Sequence, residues 1–155
     1  MNYILAVVIV IILLFAYRGH SKGIAKEIAS LVSVVLSLLG LALIIRIIGS
    51  YTADNVSGIV QAVIFLVVLA FLAQIFRLLF ASIKVITKIP IIHGLDSFVG
   101  MLVGIAEGVL MVWALFIVIE KYDIAGYSAE WLTQIANDEI LSYFYMKNPF
   151  ARFFL

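Results

Sequence analysis

Four long runs of apolar residues, with almost no charge inside them, restrict what this chain can fold into more than any other feature. A helix rises 1.5 Å per residue, so ~20 apolar residues carry it across the ~30 Å hydrocarbon layer of a bilayer. The runs lie at about 3–17, 24–48, 59–83 and 98–119. The first is the shortest, roughly 23 Å by that rise, and needs its flanks or a locally thinned bilayer in order to span. Of the 155 residues, 66% are hydrophobic and only 12% are charged. A soluble domain carries about 25% charged residues, so polar surface for a water-facing globule is lacking here. The expected fold is an all-α membrane protein: a bundle of about four transmembrane helices over residues 1–120, then a C-terminal amphipathic, interfacial helical tail over 121–155.

The connectors have turn chemistry. Residues 18–23 hold two glycines among polar side chains, and 49–58 read GSYTADNVSG. Residues 84–97 contain Pro90 and Gly94, and a helix break is expected near Ile89-Pro90 because proline lacks an amide donor and disfavours helix at the preceding residue. The first run has no basic leader and no small-residue cleavage site, so it reads as a retained span. In the tail, Trp131, Leu132 and Ile135 share one helical face, as do Leu141, Phe144 and Tyr145. That pattern fits helices lying in the interface plane, with a loosely ordered tail as the alternative. Tyr3, Tyr17, Tyr51, Trp113 and Tyr122 fall at or near run ends, where interfacial rings gather.

The net charge is +1 with basic residues scattered, which excludes a nucleic-acid footprint. There is no cysteine, hence no disulfide and no thiolate chemistry. His20 and His93 lack metal-ligand spacing and read as ordinary connector residues. With no serine triad, HExxH, phosphate loop or dinucleotide fingerprint, neither an enzyme nor a cofactor or metal is expected. Arg18, Lys22 and Lys26 flank the first connector, and Arg77, Lys84 and Lys88 the third, against Arg46 alone near the second. The positive-inside rule then puts connectors one and three in the cytoplasm and both termini outside.

Three groups of residues stand out. Arg18, Lys22 and Lys26 recur every four residues and stack on one helical face, with Glu27 and the glycines Gly19 and Gly23 on an adjacent stripe. They are read at headgroup level, either as anchoring cations or as a specific lipid or partner contact. Gly100, Gly104 and Gly108 form a small-xxx-small seam. Ser30, Ser33, Ser37 and Gly40 form a matching strip on the second run, so runs two and four are expected to pack through them, within one chain or between chains. Asp96 and Ser97 are candidate caps for run four. Glu107 sits near the middle of that run, where a bare carboxylate costs ~2.5–3.5 kcal/mol, so it should be protonated, paired or facing water. Ser33, Ser37, Gln74 and Arg77 are its candidate polar neighbours. A proton or ion relay and a hydrogen-bonded interhelical clasp are both open, with the clasp favoured because no second intramembrane acid is apparent.

These motifs carry a resemblance. R-G-x-x-K-G-x-x-K-E over Arg18–Glu27, then L-D followed by G-x-x-x-G-x-x-x-G over Leu95–Gly108, is similar to the pattern of the colicin V production protein family of bacterial inner-membrane proteins. The resemblance covers about residues 1–120 and leaves the tail outside. Family members often have arginine where Ser97 and Glu107 stand here. The resemblance implies a multi-pass protein of the bacterial cytoplasmic membrane, tied to toxin production, secretion or envelope upkeep, with no catalytic residues to carry over. The expected function is non-enzymatic, exercised through helix-helix contacts with the bilayer, a second copy or another membrane protein as partner. The alternative is an oligomeric small channel or transporter with Glu107 in a polar path.

Overall fold

A computed structural model describes residues 3–48, 57–82, 93–122, 124 and 126–154. Expectations about residues 49–56 and about Pro90 lie outside the described residues. Among the described residues seven helices follow in order: α1 (Tyr3–Lys22), α2 (Ile24–Ile48), α3 (Gly58–Ser82), α4 (His93–Lys121), α5 (Ser128–Ala136), α6 (Glu139–Met146) and α7 (Ala151–Phe154). The first four are long and apolar enough to cross a membrane. Among the described residues there is no strand.

α1 is longer than the apolar run that announces it. Its helix continues through Arg18 to Lys22, so its 20 residues span about 30 Å and need no thinned bilayer. The connector shrinks to a single residue. Gly23, at φ 77°, adopts the left-handed conformation that L side chains resist, and its amide donates to the Gly19 carbonyl at 3.2 Å. The amide of Ile24, first in α2, donates to Asp96 Oδ1 at 2.7 Å. Asp96 therefore does not cap its own helix, as its position suggested. α4 already begins at His93, and the carboxylate reaches across to hold the exposed amide end of α2, where the helix dipole favours negative charge.

The glycine seam also finds a different partner from the one expected. Gly100, Gly104 and Gly108 face α1, with Gly19, Phe15 and Ile12 opposite them in antiparallel register. A Cβ at Gly19 would collide with the Gly100 carbonyl, and one at Gly104 with the Phe15 carbonyl. Glycine on glycine lets the two backbones touch, which serine on glycine would not permit as closely. The α2 serines do not need that seam. Ser33 donates to Ala29 O at 2.6 Å and Ser37 to Ser33 O at 2.5 Å, so both hydroxyls are satisfied within their own helix. Gly40 looks toward α3, with Leu72 the nearest side chain at 4.0 Å from an added Cβ.

α2 and α4 both start beside Gly23 and run in the same direction, and between them Val34, Leu38 and Leu41 share a core with Leu110, Ala114 and Ile117. Ala62, Phe65, Leu69 and Ala73 bring α3 onto the same core. The cross-section thus reads α1, α4, α2, α3.

The tail is helical and folds back onto the end of the bundle away from Gly23. Ile135 and Leu141 are buried against Val8, Val112 and Phe116, while Phe150 and Phe154 close the core formed by α2, α3 and α4. Trp113 anchors it twice: its Nε1 donates to Phe144 O at 2.9 Å, and its carbonyl accepts from Asn148 Nδ2 at 3.2 Å. Asp138 caps α6 by accepting from the Ile140 and Leu141 amides.

Candidate functional site

The site forms where all four spans present a polar side chain at one depth. In a helix each Cα–Cβ bond tilts toward the N-terminus. α1 and α3 run toward the end of the bundle where Gly23 lies, so the side chains of Arg18 and Arg77 lean away from that end, into the bundle. α2 and α4 run the other way, so Glu27 and Glu107 lean back toward them. The four charges converge.

Arg18 Nη2 donates to Glu107 Oε1, to Glu27 Oε1 at 3.3 Å and to Ser30 Oγ at 3.1 Å. Glu107 Oε1 also accepts from Ser30 Oγ at 3.0 Å and from Arg77 Nη2 at 3.2 Å. The Arg18 guanidinium lies 4.5 Å from the Phe15 ring centroid, a cation-π contact on its own helix. Two guanidinium groups face two carboxylates, which balances charge in a setting where an unpaired ion is costly. The glutamates are completely buried, at 0% exposure, whereas Arg18 and Arg77 keep 28% and 35% of their side chains exposed.

This arrangement revises several sequence expectations. Arg18 does not protrude at headgroup level but turns inward, because its helix continues past it and its Cβ points into the bundle. Glu27 is buried, and it is the second intramembrane acid that seemed to be missing. It was legible as an acid one turn before Ser30 on the serine-bearing face of α2, and the neighbouring lysines concealed it. Glu107 is paired with arginines, and of the α2 serines it is Ser30, not Ser33 or Ser37, that bonds it. Gln74 is exposed on α3. Lys22 and Lys26 are exposed, as headgroup-level cations would be. Gly19, Gly23 and Asp96 belong to the α1–α2–α4 junction, where they set the backbone spacing that lets Arg18 reach across.

Among the described residues no group of three or more His, Asp or Glu is placed to hold a metal ion. An open groove on the outer side of α6 is lined by Glu139, Ile140, Ser142, Tyr143 and Met146, remote from the charge cluster.

The family model for colicin V production protein matches residues 6–144. The chain belongs to that family. The match runs beyond residue 120, so the colicin V production protein pattern includes α5 and most of α6, which the resemblance had left outside. The docking of those helices through Trp113 gives the extension a physical basis, since tail and bundle share one core. No curated protein and no solved structure matches the chain. Within this member of the colicin V production protein family, Arg18 and Arg77 supply the charges opposite Glu107.

Proposed function

We propose that this protein is a non-enzymatic component of the bacterial cytoplasmic membrane that acts through helix-helix contacts in toxin production, secretion or envelope upkeep. The observation that carries the reading is the convergence on Glu107 Oε1 of donors from α1, α2 and α3, which ties four spans into one body. A bundle locked internally leaves its outer faces for lipid or a partner. On α3 that face is Val63, Val67 and Phe71, all more than half exposed. Exposed Gln74 lies on the same face, so recognition would combine side-chain packing with one hydrogen-bonding amide.

The test is complementation of cells lacking the protein, scored by toxin export and by envelope integrity. A Val67→Ala, Phe71→Ala double variant should insert at normal levels and complement poorly. Full complementation by that variant would remove α3 as the contact surface. Ion flux from liposomes at high protein content would replace this reading with a pore.

A further inference from the structure

The ion pairs leave part of the charge cluster unsatisfied. Every hydrogen bond described from Arg18, Arg77 and Ser30 to a glutamate ends on an Oε1 atom. Glu27 Oε2 and Glu107 Oε2 are buried and have no hydrogen-bond partner among the described residues, and neither have Arg18 Nε and Arg77 Nε, which reach neither oxygen. Both side chains are at 0% exposure, and Glu27 Oε1 and Glu107 Oε1 share one donor, Arg18 Nη2, which sets the two carboxyl groups side by side. Two ionised carboxylates cannot satisfy one another, because each only accepts. Side by side in a buried site they also repel, and the usual resolution is that the pair keeps one proton.

We infer that Glu27 and Glu107 form one proton-binding site inside the bundle, holding a single proton between them. A proton from water adds to an Oε2 atom of one glutamate. The resulting O–H donates to a carboxylate oxygen of the other, so an unpartnered acceptor on each side gains a bond. The pair then carries one negative charge instead of two, and the cluster passes from neutral to +1. The arginines remain charged throughout.

The groups facing the pair are Arg18 from α1, Ser30 from α2 and Arg77 from α3. Lys22, exposed at the end of α1, acts on the pair from further away. Lys26 of α2 points to the exterior, and Asp96 of α4 is engaged at the Ile24 amide. Loading and unloading this proton changes the charge at a place where all four spans are tied. The site stands on the cluster geometry and does not depend on the role proposed above.

Infrared spectroscopy of the purified protein in lipid nanodiscs tests it. The readout is the carbonyl band of a protonated carboxyl group, with its shift in heavy water. The wild type should show the band at neutral pH, while exposed acids are ionised. Both Glu27→Gln and Glu107→Gln should lose it, because the remaining glutamate then faces arginine with no second carboxylate beside it and ionises. Absence of the band from the wild type between about pH 5 and about pH 8 would overturn the proposal, and that measurement needs no variant to fold. A band that persists in either single variant would also overturn it, since a lone protonated acid is not a shared site.

Discussion

Glu107 is the residue on which the cluster turns, because three helices donate to its Oε1 and none of those donors can be met by lipid. Removing a partner from a buried ion pair costs more than the pair contributes, since the remaining charges stay behind without compensation. Glu107→Leu strands Arg77 and leaves Arg18 with Glu27 alone, and should destabilise the bundle by about 3 kcal/mol, the lower end of that range because Arg18 keeps a partner and both arginines keep some exposure. Thermal unfolding in detergent checks this, and an unchanged midpoint would show that the pairs contribute nothing. An acid in a membrane helix signals a polar neighbour from sequence alone. Which neighbour it finds depends on helix directions, since Arg18 and Arg77 reach inward only because α1 and α3 run toward the Gly23 end.

At the scale of elements, the α1–α4 contact and the tail make separate predictions. Gly104→Leu drives a side chain into the Phe15 carbonyl, a backbone atom that cannot rotate away. It should cost at least about 3 kcal/mol or abolish the folded state, seen as loss of the monodisperse protein on gel filtration. Gly40→Ala adds its methyl group where nothing approaches closer than 4.0 Å, and should raise stability by about 0.5–1 kcal/mol through lower helix entropy. Equal effects from the two substitutions would show that glycine acts by flexibility and not by close approach.

The tail responds to alkali. Burial, and then the Glu120 carboxylate beside it, push the Tyr145 phenol up to about 12. A raised value means that the neutral form is favoured in the folded state, so this contribution is complete below about pH 10 and fades as pH rises toward about 12. Tail docking, followed by protease sensitivity of residues 128–154, should weaken over that interval in the wild type and lose the dependence in Tyr145→Phe.

For the whole molecule, the arrangement α1, α4, α2, α3 separates two ends of different character. One holds the α1–α2 junction with exposed Lys22 and Lys26, the other the docked tail. The cation bias predicts that the junction end faces the cytoplasm. Because the chain has no cysteine, single introduced cysteines report orientation cleanly. Ser21→Cys, at an exposed junction residue, should label only after cells are permeabilised, and Tyr127→Cys, exposed in the tail, should label on intact cells. The reverse pattern would invert the topology.

What the sequence by itself determined is the solvent and the number of spans. Hydrocarbon accepts only segments whose backbone is bonded internally, so four apolar runs of sufficient length could become little other than four helices. Family membership was legible from short motifs, as Gly19, Gly23, Asp96 and the Gly100–Gly108 seam, which together build the α1–α2–α4 junction, stand out at regular spacing along the chain. Partner choice was decided only in the tertiary structure. The glycine strip could have met serines on α2 or glycines on α1, and it met α1 because backbones approach closest where both sides lack a Cβ. Glu27 could have faced headgroups, and the single-residue turn at Gly23 instead turned it inward beside Arg18. Spacing along a chain records which residues share a helix face, while the energy of a buried charge depends on what the other helices bring to it.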